Sequence, residues 1–176
     1  ANLTPAQAAA GWRHVEWVAD QRDLALVGPA TNFCDPTPGA KHAGACIEAV
    51  DGHRMLGLAW LERFYDACTA EGAAGFDCRI DQQAVHAYSC GGVTWMIELM
   101  KGKAGLKTPD AAHCGNGVQD ADEFGTDCGG NVCTACSAHA RAQFAKPVWL
   151  TEFGTSDDCG TCLLYTSDAA DEKYRV

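Results

Sequence analysis

The sequence predicts an α/β fold, and three observations carry that expectation. Helical and strand periodicities alternate along the chain in the order helix, strand, helix, strand, helix, insertion, helix, strand. The run Pro147–Gly154 closes the series as a short apolar strand that delivers one carboxylate, Glu152, before Gly154 breaks it. Eleven cysteines in 176 residues add a disulfide framework and an oxidising compartment.

Composition bounds the rest. A chain of 176 residues suits one domain or part of one, and a hydrophobic content of 47% suffices for a real core. No apolar run approaches a membrane span. A net charge of −10 argues against nucleic acid or an anionic membrane as partner and is compatible with a neutral polysaccharide. No signal peptide is visible ahead of Ala1, so a secreted protein would carry its leader outside this sequence.

The elements follow in order. Thr4 reads as an N-cap, with Pro5 at the first helical position and Gln7 closing a capping box. Trp12, Val15, Val18 and Ala19 then form an apolar stripe on that helix. Asp23–Asn32 supplies a strand through Leu24, Leu26 and Val27, ended by Gly28-Pro29. The loop Cys34–Gly52 could be closed by a Cys34–Cys46 disulfide. Met55–Cys68 is helical, with Leu61, Phe64, Tyr65 and Cys68 on one stripe and Trp60 in the core. Arg79–Tyr88 is the next strand, with Gln82 and Gln83 unusually polar for it, and Val93–Met100 the next helix, with Met96, Ile97 and Met100.

Residues 113–136 break the pattern. Cys114, Cys128, Cys133 and Cys136 read as a small disulfide-rich module in the connection before the last helix and strand, on the variable side of the fold. Four cysteines allow three pairings, and spacing does not choose among them. A zinc site on the same four, with His113 or His139, is the metal alternative; the cysteine density elsewhere favours disulfides. Asp120, Asp122, Glu123 and Asp127 lack the order of a calcium loop and read as a solvated acidic loop.

Alternation puts Val148, Leu150 and Glu152 on one face of the last strand, with Trp149, Thr151 and Phe153 on the other. His86 and Tyr88 likewise share a face at the end of their strand. Spacing alone fits a solvent-facing Glu and a core His beside a Tyr as well as it fits a site.

Four ordered blocks add a resemblance. They are Asn2-Leu3-Thr4-Pro5-Ala6-Gln7-Ala8-Ala9, Leu26-Val27-Gly28-Pro29-Ala30-Thr31-Asn32, the Trp60-Leu61-x-x-Phe64 helix, and Val85-His86-Ala87-Tyr88 ahead of Trp149-Leu150-Thr151-Glu152-Phe153-Gly154. Together they resemble the catalytic domain of glycoside hydrolase family 128, retaining endo-β-1,3-glucanases built on a (β/α)8 TIM barrel. The resemblance implies a partial barrel, about strands five to seven with their helices, over residues 1–161. It implies Glu152 as catalytic nucleophile and His86, Tyr88 and Asn32 as substrate contacts. It places the acid/base glutamate in an Asn-Glu-Pro segment upstream of residue 1, so that the chain as written is inactive. It implies β-glucan as partner, no cofactor, a monomer when full length, and a secreted or cell-wall location.

Residues 162–176 resemble a translated sequencing adapter and are set aside from the fold. Three strands without the rest of a barrel would leave open edges, so the fragment alone is expected to be insoluble or loosely packed. Two other classes stay open. One is a non-catalytic β-glucan-binding or cell-wall protein on the same barrel; the other is a cysteine-rich structural protein dominated by the 114–136 module.

Overall fold

The computed structural model describes residues 3–31, 47–48, 54–55, 57–87, 92–109 and 111–153. Its elements are helix α1 (Pro5–Asp20), strands β1 (Ile47–Glu48) and β2 (Arg54–Met55), helix α2 (Gly57–Ala67), strand β3 (Gln83–Ala87), helices α3 (Gly92–Lys103) and α4 (Ala138–Phe144), and strand β4 (Val148–Phe153). β1 and β2 pair antiparallel, and β3 and β4 pair parallel. The Cys34–Cys46 pairing and the tail at 162–176 lie outside the described residues.

Thr4 starts α1 as its sequence dictates. Its N–H donates to Gln7 Oε1 (3.0 Å) and its Oγ1 accepts from Gln7 N–H (3.2 Å), a reciprocal cap with Pro5 just inside. The buried side chains of α1 are Ala9, Trp12 and Ala19, whereas Val15 and Val18 are exposed. The expected stripe is thus rotated. Two alanines let the helix approach closely, and Trp12 alone reaches across, edge-on to Phe64 with its Nε1–H donating to Arg79 O (2.9 Å).

α2 is the centre of the core. Leu61, Phe64, Tyr65 and Cys68 are fully buried, and Trp60 stacks on Phe64 at 5.7 Å. Burying each large apolar side chain contributes about 1.5–3 kcal/mol. The Cys68–Cys78 disulfide then ties the end of α2 to the segment leading into β3.

The strand expected from Asp23 to Asn32 contracts to a single parallel bridge, Val27 with Gln82. Leu24 and Val27 are exposed and only Leu26 is buried, so one face of this segment is held. Gly28 N–H still donates to Gln82 O (2.8 Å), which sets the segment beside the start of β3.

Gln83 is fully buried, and its polar side chain has a structural role. It accepts from the Tyr65 hydroxyl and donates from Nε2 to Gln143 O (3.0 Å), linking β3 to α2 and α4. Burial raises the Tyr65 phenol well above the usual tyrosine range.

The cysteine-rich insertion packs on the helices. Its disulfides are Cys114–Cys133 and Cys128–Cys136. Lys103 at the end of α3 donates to Glu62 Oε2 of α2 (2.7 Å), and both side chains are completely buried. The insertion closes over this pair: Gly130 O accepts from Lys103 Nζ, and Cys136 N–H donates to Glu62 Oε1 (2.9 Å). Arg63 lies over the Phe124 ring at 3.7 Å. Gly130 sits at φ +72°, where an added Cβ would fall 1.6 Å from Asp122 O, so only glycine fits there.

Parallel β3 and β4 require the chain to return between them, and α3 makes that return. The insertion meets the C-terminal end of α3, where Ala135 N–H donates to Lys103 O (3.0 Å) and Thr134 Oγ1 donates to Gly102 O (3.1 Å).

Candidate active site

The pairing of β3 with β4 decides what stands at the strand ends. Gln83 is opposite Val148, Ala84 opposite Trp149 and Val85 opposite Leu150. In a parallel pair, partners share a face. Val85 belongs to the helix-packed core and Val148 packs against it, so that face looks onto the helices. Ala84 and Trp149 therefore look the other way, and Trp149 is well exposed.

A bulge follows. The register shifts between Val85 and His86, so that His86 is opposite Glu152 rather than Thr151. Thr151 is the extra residue, and its Oγ1 donates to Val85 O (3.3 Å). Unbroken alternation would have left Glu152 on the helix face with Val148. The bulge moves it to the face of His86, which also carries the buried Ala84 and the exposed Trp149.

There His86 Nε2 lies 3.7 Å from Glu152 Oε1. The His86 side chain is 14% exposed and the Glu152 side chain 58%. A largely buried imidazole thus flanks a carboxylate that solvent or a ligand can reach. A carboxylate so placed can act as nucleophile or base, and the imidazole can donate a hydrogen bond to it. Asn32 and Tyr88 lie outside the described residues.

Other carboxylates are spent elsewhere. Glu98 on α3 pairs with Lys101 (2.8 Å) and Lys107 (3.4 Å), and its hydrogen bonds to Lys101 and then Lys107 hold it below the usual glutamate range. In the insertion, Asp127 accepts from Gly117 N–H (3.0 Å), and Glu123 Oε2 accepts from Asp120 N–H (3.1 Å) and Asp127 N–H (3.2 Å). These acids brace their own loop. The quartet Cys114, Cys128, Cys133 and Cys136 is taken up by two disulfides.

Sequence reasoning passed over two features of this region. The buried Glu62–Lys103 pair had a signal: Glu62 is the one acidic residue between Gly57 and Tyr65, on a helix otherwise apolar around it except for Arg63. The bulge had none, because it depends on which strand β4 meets.

Among the described residues, no helix is long and apolar enough to cross a membrane. No curated protein matches the chain. A family model described as the glycosyl hydrolase catalytic core matches residues 1–109, more than half of the 176. His86 falls within the matched span and Glu152 beyond it. With strands, helices and an acidic strand end in that arrangement, the chain belongs to the glycosyl hydrolase catalytic core family.

Proposed function

We infer that this chain is part of a secreted glycoside hydrolase that cleaves β-1,3-glucan with retention of configuration, Glu152 acting as nucleophile. The observation that carries the reading is the placement of Glu152 at the C-terminal end of a parallel strand, turned by a bulge to stand beside His86. In α/β barrels that strand end is where catalytic side chains stand. On this reading the two parallel strands and the Val27 bridge are a sector of a (β/α)8 barrel, and the face shared by His86 and Glu152 is its interior.

The reaction follows from the two-carboxylate scheme. Glu152 attacks the anomeric carbon, the glycosidic C–O bond breaks, and a second carboxyl about 5–5.5 Å away protonates the leaving oxygen. Water then releases the glycosyl group from Glu152, with the second carboxyl now taking the proton from that water. We assign that acid/base role to the glutamate of the Asn-Glu-Pro segment that the family 128 resemblance implies. His86 orients Glu152, and Tyr88 and Asn32 are assigned to sugar hydroxyls. Glucan specificity rests on the ordered sequence blocks around these residues. Three disulfides among the described residues fit an extracellular protein.

The test is hydrolysis of a soluble β-1,3-glucan by the full-length protein, with the anomeric form of the new reducing end followed by proton NMR. The β-anomer should appear first. Initial release of the α-anomer would overturn retention, and binding without hydrolysis would favour the glucan-binding alternative.

A further inference from the structure

We propose that Thr151 is a positioning residue of the site: its hydroxyl pins the bulge in β4 and so holds the Glu152 carboxylate beside His86. This rests on the reading of Glu152 as nucleophile, and it names the group that fixes the direction of that nucleophile.

The register isolates the residue responsible. As far as Val85 opposite Leu150 the two strands run in step, and from His86 opposite Glu152 to Ala87 opposite Phe153 they run in step again. The irregularity is therefore one residue, Thr151. Had the first register continued, Thr151 would stand opposite His86, and Glu152 opposite Ala87. The carboxylate would then leave the face of His86, because successive side chains of a strand alternate.

An inserted residue disrupts the ladder locally, so a bulge needs something else to hold it. Thr151 is exposed, and core packing does not supply that hold. Its hydroxyl does: Oγ1 donates to Val85 O (3.3 Å), the carbonyl at the last position before the register shifts. Val85 itself is buried, where a backbone carbonyl needs a donor. A side chain thus bonds across the two strands at the point where backbone pairing falters. Threonine suits the task because branching at Cβ restricts χ1 and keeps the hydroxyl turned to its acceptor. Serine keeps the donor with a freer rotor, and valine keeps the shape with no donor. A nucleophile must be held within about 0.5 Å of its productive geometry, and the backbone from which Glu152 leaves sets its direction.

The experiment measures kcat, KM and urea stability for variants of the full-length protein on a soluble β-1,3-glucan. Thr151→Val should lower kcat by about 10-fold while KM and stability hold. Thr151→Ser, which keeps the donor, should recover most of that loss. Adding Thr151→Val to His86→Ala should cost no more than about 2-fold beyond His86→Ala alone, because the direction that Thr151 enforces has then lost its partner. Glu152→Gln separates the proposal from the reading beneath it: hydrolysis that survives this change overturns both. With Glu152→Gln inactive, the proposal alone falls on any of three results. These are wild-type kcat in Thr151→Val, a loss that tracks stability or that serine does not relieve, and losses that multiply when combined with His86→Ala.

Discussion

His86 and Glu152 face each other across β3 and β4 because β4 holds one residue more than β3 needs. Thr151 is that residue, and the 3.7 Å approach of His86 Nε2 to Glu152 Oε1 depends on it. Bulges re-aim side chains beside sites in this way. The apolar run before Glu152 and the glycine after it supply the strand; the bulge supplies the direction.

Glu152→Gln in the full-length protein is expected to abolish hydrolysis while leaving the fold intact. The side chain is 58% exposed, so its replacement should change stability by no more than about 0.5 kcal/mol. Activity on a soluble β-glucan and a urea melt of the same variant check both parts. A loss of activity that tracked a loss of stability would mean that Glu152 is structural.

The buried Glu62–Lys103 pair predicts an asymmetric mutational response. Lys103→Met strands the Glu62 carboxylate and should cost about 3–5 kcal/mol. Adding Glu62→Gln should recover part of that loss, because no unpaired charge then remains. Denaturant unfolding of the two single variants and the double variant measures the coupling.

Tyr65 predicts an alkaline limit to stability. Its phenol is raised by burial in the folded state, while the unfolded phenol ionises near about 10. Above that pH the unfolded chain holds fewer protons than the folded one, so this contribution is full below about pH 10 and is lost as pH rises further. Tyr65→Phe should flatten this part of the pH profile, and tyrosinate absorbance during alkaline unfolding should show one phenol that titrates only on unfolding.

The disulfides can be read directly. Peptide mapping without reduction should return Cys68–Cys78, Cys114–Cys133 and Cys128–Cys136. Replacing both Cys128 and Cys136 by serine should destabilise the chain by about 2–4 kcal/mol. The insertion should then loosen from α2 and α3, since Cys136 N–H and Gly130 O cover the Glu62–Lys103 pair.

Local chemistry was legible in the sequence. The Thr4–Gln7 cap and the Leu61, Phe64, Tyr65 and Cys68 stripe follow from spacing within one turn or two, which the chain states on its own. The stripe on α1 was only half legible. Trp12 and Ala19 are buried as expected, but Ala9 is buried with them while Val15 and Val18 are exposed, because close helix approach favours small side chains that a hydrophobicity pattern underrates. Asp23–Asn32 carried strand-forming residues, yet among the described residues of that segment only Val27 pairs, with Gln82. Three features were not legible: the bulge at Thr151, the two pairings in the insertion, and the docking of Lys103 under Gly130. The bulge and the Lys103 docking join residues distant in sequence, and the pairings turn on which of four cysteines meet; periodicity speaks to none of these. The carboxylate at the strand end could be read from Pro147–Gly154, but the face it occupies could not.

The most direct test of Glu152 as nucleophile is covalent trapping. The full-length protein would be incubated with an activated 2-deoxy-2-fluoro laminarioligosaccharide, digested, and the labelled peptide sequenced by mass spectrometry. The account predicts one glycosyl label, on Glu152, with loss of activity in step with labelling. A label on another carboxylate, or turnover of glucan with no covalent label, would contradict it.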